Sequence, residues 1–92
     1  MRPIQQAMPG ALAALLRGVP LSEGKIGFAW RAAVGGRFDR VTSVRLEQRA
    51  LIVEAATAAW AREVRRAIPV ILPRMQTLLG ADAVTSLSVR EP

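Results

Sequence analysis

Two tryptophans bracket the most regular stretch of the chain, and their spacing limits what the chain can fold into. Trp30-x-x-x-Val34-Gly35 closes one helical segment, and Trp60-Ala61-Arg62-Glu63-Val64 opens another. Between them Thr42–Glu47 alternates strictly. Val44 and Leu46 fall on one face, and Ser43, Arg45 and Glu47 on the other, the two-residue period of a half-buried strand. Leu51, Val53 and Ala55 continue the inward face on a second strand, with Ile52 and Glu54 looking out. Gln48-Arg49-Ala50 joins the two strands into a hairpin, although it lacks the glycine or asparagine that tight hairpin turns favour. The order helix, hairpin, helix follows.

The flanking segments complete the pattern. Met1–Ala7 reads as a loose arm, and Pro9–Gly18 as a short helix carrying Leu12, Leu15 and Leu16 on one face. Ser22 is placed to cap the next helix, whose Ile26, Trp30, Ala33 and Val34 keep helical spacing until Gly35-Gly36. Phe28 and Trp30 cannot both face inward on that helix. Thr57 caps the longest helix, where Trp60, Val64, Ile68, Ile71, Leu72, Met75 and Leu79 trace an apolar stripe. Pro69 and Pro73 fall inside it, so a kink or break is expected near Arg66–Ile68. Gly80 ends the helix, and Ala83–Arg90 reads as a third strand, parallel to the second because helical returns to a sheet are right-handed. The expected fold is α+β, one domain over 1–92 in the order α-α-β-β-α-β, with helices on one face of a three-stranded sheet. Trp30, Trp60, Val64, Ile68 and Leu72 are its expected core. Trp60 is the firmer of the two tryptophans, so that Trp60→Ala should unfold the domain.

Composition narrows the chemistry. The chain has 92 residues with neither cysteine nor histidine, which removes disulfides, thiolate metal sites and every histidine-based nucleophile. Its seven acids suggest no acid/base or metal pair, and no P-loop is present, so no catalysis, metal or cofactor is expected. The missing cysteines fit a cytoplasmic protein. The apolar run near the N-terminus is too interrupted for a signal peptide or membrane span.

Thirteen basic residues against seven acids leave a net charge of +6, and Lys25 is the one lysine. Arginine's planar fork of donors suits phosphate. Arg62, Arg65 and Arg66 share neighbouring positions on one helix; Arg37 and Arg40 precede the hairpin, and Arg45 and Arg49 lie on it. These seven are the candidate nucleic-acid contacts, against the alternative of a solvated face partly neutralised by Glu63. Gly24-Lys25-Ile26-Gly27 is a G-x-x-G, the pattern of a loop that clamps a nucleic-acid backbone between two helices; the simpler alternative is a flexible helix entrance.

The ordered set Trp30-x-x-x-Val34-Gly35, Leu51-Ile52-Val53, Trp60-Ala61-Arg62-Glu63-Val64, Leu79-Gly80 and Val84-x-x-Leu87-x-Val89-Arg90 resembles the DciA family over roughly Leu21–Arg90. The resemblance implies a KH-like domain. It also implies the function of a bacterial replicative-helicase operator, or loader, that contacts the hexameric helicase and binds DNA without hydrolysing ATP. The expected role is therefore a non-catalytic adaptor, nucleoid-associated in the cytoplasm. Its expected partners are the replicative helicase hexamer and single-stranded DNA, with duplex DNA as a second nucleic-acid candidate. A protein-interaction module without functional nucleic-acid binding and a KH-like RNA-binding protein are the alternatives. Many family members carry a disordered extension and a glycine hairpin turn; here the sequence ends at Pro92, with no C-terminal extension expected, and Gln48-Arg49-Ala50 stands at the turn.

Overall fold

The computed structural model describes Leu15 and residues 19–92. The expected arm and, Leu15 apart, the expected Pro9–Gly18 helix lie outside the described residues. The remaining elements are α1 (Glu23–Asp39), β1 (Thr42–Glu47), β2 (Ala50–Ala55), α2 (Ala58–Leu79) and β3 (Ser86–Arg90). The class is α+β, and the order from α1 onward is the expected one. The sheet runs β1-β2-β3, with β1 antiparallel and β3 parallel to a central β2. Among the described residues no helix is long and apolar enough to cross a membrane.

Side-chain caps start both helices. Ser22 accepts from the Lys25 N–H at 3.1 Å, and Thr57 accepts from the Trp60 N–H at 3.1 Å. Each bond satisfies one of the first-turn donors that have no partner within the helix. Inside α1 the helical conformation breaks at Gly35 (φ 86°, ψ 165°), a region an L side chain avoids. The break re-aims the last turn, Gly36–Asp39, toward α2. Arg74 of α2 donates to the Ala33 carbonyl at 2.9 Å, next to the point where the helix is interrupted.

The core fills the space between the helices and one face of the sheet. Trp30, Leu51, Val53, Val64, Met75 and Val84 are its largest fully buried side chains, with Val44, Leu46, Leu87 and Val89 packed against it from the strands. Burying a side chain of the Val or Leu class contributes about 1.5–3 kcal/mol. Trp30 is 1% exposed, and its indole N–H donates to the Thr42 hydroxyl at 2.9 Å. That hydroxyl donates onward to the Phe38 carbonyl at 2.7 Å, which ties α1 to the start of β1. Phe28, on the opposite side of α1, is exposed.

Several expectations need correction. The buried stripe of α2 runs through Ala61, Val64, Ile71, Met75, Leu78 and Leu79. Trp60 and Ile68 flank it half-buried, as does Leu72, which still packs on the core. Helix α2 is also continuous through Pro69 and Pro73. Both prolines are exposed and four residues apart, so the carbonyls they leave without helical donors, those of Arg65 and Pro69, share a solvent-side face where water can serve them. Ile52 points away from the helices by strand alternation, yet it is 5% exposed. Its cross-strand neighbour Arg45 places an aliphatic stem beside it on that face.

The hairpin turn is shorter than expected. Glu47 pairs with Ala50, so Gln48-Arg49 is a two-residue loop, and Gln48 takes φ 57°. This left-handed backbone disfavours any residue with a Cβ. Gln48→Gly is therefore expected to stabilise the domain by about 0.5–1 kcal/mol, read as a higher urea midpoint at unchanged slope. Unchanged or lower stability would show that the turn carries no strain.

Candidate nucleic-acid interface

The end of α1 and the start of α2 meet because the Ala56 N–H donates to the Val41 carbonyl at 2.8 Å. Phe38 and Trp60 then pack edge to face, with ring centroids 5.7 Å apart and planes at 87°. The Arg37 guanidinium lies over the Trp60 ring, 5.3 Å from its centroid, within cation–π range. Arg40 is the exposed C-cap residue of α1, one position before Val41. No acid occupies the first turn of α2, whose free N–H groups add partial positive charge at the same junction. Arg62 and Arg66, both exposed, continue the positive charge along the solvent side of α2.

The seven candidate arginines do not form one surface. Arg37, Arg40, Arg62 and Arg66 share the end built from the last turn of α1 and the N-terminal half of α2. Arg66 is only loosely engaged by Glu63 at 3.6 Å, and its side chain is 75% exposed. Arg37, Arg40 and Arg62 make no ion pair among the described residues, and the sequence outside those residues holds no Asp or Glu to supply one. Arg49 sits in the hairpin turn, at the far end of β1 from Arg40.

Arg45 and Arg65 are already held by carboxylates. Arg45, on the open face of the sheet, donates to Glu47 at 2.6 Å and to Glu54 at 2.7 Å. The bond from Arg45 first, then its charge and that of Arg90, hold the Glu47 carboxyl below the usual carboxylate range, while the two glutamates push the Arg45 guanidinium up. Because the folded Glu47 pKa is depressed, its contribution to stability is present above the ordinary carboxylate range and is lost as pH falls below that range through the lowered value. Arg65 bonds Glu91 at 3.1 Å and the Val89 carbonyl at 3.2 Å, which fastens α2 to the end of β3.

Gly24, Lys25 and Gly27 do not form a clamp loop. They lie in the first turns of α1, and Lys25 is buried with its ammonium donating to the Val19 carbonyl at 2.7 Å. Its charge is therefore turned onto the chain segment ahead of α1. Three basic residues absent from the sequence-derived set, Arg31, Arg74 and Arg90, are exposed. Of these Arg74 is committed to Ala33, and the others gave no signal in the sequence beyond isolated charge.

A shallow cleft of about 370 Å³ opens beside the junction, where β1 begins and β2 and β3 end; Arg40, Glu54 and Glu91 line it. Among the described residues no group of three His, Cys, Asp or Glu residues comes together as metal ligands would.

Comparison with known proteins places these features in a family. The chain is 32% identical over 73 residues to a UPF0232 protein of Mycolicibacterium smegmatis, an alignment covering 78% of this chain and 38% of that relative. The chain thus spans well under half the length of the curated relative it matches. No solved structure matches it. The family model described as Dna[CI] antecedent, DciA, matches residues 3–89, nearly the whole sequence, and the chain therefore belongs to the DciA family.

Proposed function

We propose that this domain is a non-catalytic adaptor of the bacterial replicative helicase that grips single-stranded DNA chiefly through its phosphates and assists helicase loading, working in the cytoplasm at the nucleoid. The observation that carries this reading is the group of arginines left without strong carboxylate partners where α1 meets α2: Arg37, Arg40, Arg62 and Arg66. Guanidinium groups at that density, beside a helix N-terminus and a half-buried tryptophan, suit a flexible polyanion with exposed bases. The helicase half of the reading rests on family membership.

Titration of a labelled single-stranded oligonucleotide across a salt series tests the phosphate grip. If the four arginines each neutralise one phosphate, log affinity should fall against log salt with a slope of about −2.8, and affinity near physiological salt should lie at roughly 10⁻⁴–10⁻⁶ M. A slope near zero would remove the electrostatic mechanism. The open sheet face, where Arg45 is held by Glu47 and Glu54 and so offers no free positive charge, favours a second use of the domain as a protein-docking module. Retention of the helicase hexamer after nuclease treatment, with no DNA affinity in the isolated domain, would favour that reading over the first.

A further inference from the structure

One aromatic ring stands among the arginines at the α1–α2 junction, and phosphate contact makes no use of it. Trp60 lies in the first turn of α2, where Thr57 caps its N–H, and its side chain stays half-buried while the neighbouring Ala61 enters the core. Phe38 meets the indole edge to face at 5.7 Å, which gives the ring a set orientation. The two residues ahead of it, Ala58 and Ala59, are exposed and carry only methyl groups, so they put no bulky side chain at this end of α2. What covers the ring is the Arg37 guanidinium, 5.3 Å from its centroid. Among the described residues Arg37 makes no ion pair, and a cation resting on an aromatic face at an exposed site is held weakly.

A guanidinium is a flat plate that stacks on aromatic faces, and here it takes the position that a base would take. A strand can exchange the two. Arg37 turns to a phosphate, where opposite charge and parallel N–H donors hold it more strongly than the ring does. A base of the same stretch of strand then settles on the uncovered indole. Every base has a π-face, so this contact requires accessible bases and no particular sequence. A duplex, with its bases stacked inside, offers only phosphates to this end of the domain.

We infer that Trp60 is a base-stacking position: one base of the bound strand lies against the indole, in the place Arg37 occupies in the free domain, while Arg37 moves onto a neighbouring phosphate. This position rests on the single-strand reading above and adds to it a contact that does not depend on charge. The test compares a labelled thymidine 12-mer with a 12-mer of the same backbone whose sugars carry no bases. Both have the same phosphates, so the arginine contribution cancels. The thymidine strand is expected to bind about fivefold more tightly, the lower end of what one base–aromatic stack gives, because the ring is half-buried. Trp60→Ala, with its fold checked by circular dichroism, should bring the ratio to about one, whereas Trp60→Phe, which keeps a smaller π-face, should retain at least about half of it. Arg37→Ala should weaken both strands about fourfold at 0.15 M salt and leave the ratio at about five or above. Equal affinities in the unaltered domain, with the salt slope intact, would overturn the stack and leave the phosphate grip standing. A ratio that survives Trp60→Ala, or is lost in Trp60→Phe or Arg37→Ala, would overturn it too, and absence of binding to either strand would remove both readings.

Discussion

Trp30→Ala is expected to leave the domain without a cooperative fold. The indole is 1% exposed and belongs to the core shared by both helices and the sheet. Truncating a buried tryptophan typically costs about 3–5 kcal/mol. A chain of this size has a total stability of roughly 5–14 kcal/mol, with small domains toward the low end. The substitution also removes the donor that joins α1 to the Thr42 hydroxyl. Thermal unfolding followed by circular dichroism should show the midpoint lowered by more than about 15 °C, or no transition at all. Trp60→Ala provides the contrast. Trp60 is half-buried beside Phe38 and Arg37, so its loss should cost about 1–2 kcal/mol and leave a folded domain. If the two substitutions proved equally costly, the assignment of core to Trp30 and flank to Trp60 would be wrong.

That assignment reverses the ranking read from the sequence, for a physical reason. In α2 two helical registers fit the same residues. One starts from Trp60 and passes through Val64, Ile68 and Ile71; the other starts from Ala61 and passes through Val64, Ile71, Met75 and Leu78. Periodicity alone cannot separate registers one residue apart, and side-chain size favoured the tryptophan. The close approach of α2 to its neighbours selects the small Ala61, which is fully buried. By contrast the hairpin was legible almost residue by residue, because a slip of one position would have turned Val44, Leu46, Leu51 and Val53 out to solvent. Proline misled in the opposite direction. Its cost in a helix points to a kink or break near Arg66–Ile68, yet α2 runs on without a break; both prolines fall on the exposed side, where the freed carbonyls can reach water. The site was legible as a surplus of positive charge and not as a place. Which arginines are spent on carboxylates depends on contacts between residues far apart in sequence, such as Arg65 with Glu91, and no local pattern reports them.

The division among the arginines yields the largest effect expected on binding. Replacing Arg37, Arg40, Arg62 and Arg66 together by alanine should weaken single-stranded DNA binding about 200-fold at 0.15 M salt and flatten the salt slope toward zero. Each phosphate contact on a single strand releases about 0.7 counterions, so that losing one arginine costs roughly fourfold at this salt. Replacing Arg45 and Arg65 by alanine is the informative control. Those two remove as much formal charge as any other pair, but their guanidinium groups are committed to Glu47, Glu54 and Glu91. If binding depends on guanidinium groups free to meet phosphate, that double variant should lose no more than about threefold, the long-range share of two charges screened within roughly 8–10 Å. A diffuse attraction between a basic domain and a polyanion would instead make the loss track the number of charges removed, wherever they sit. Equal loss per arginine in the two variants would therefore refute a localised grip at the α1–α2 junction. A steep loss in the first variant and a shallow one in the second would place the contact there, where among the described residues Arg37, Arg40 and Arg62 make no ion pair and Arg66 only a loose one.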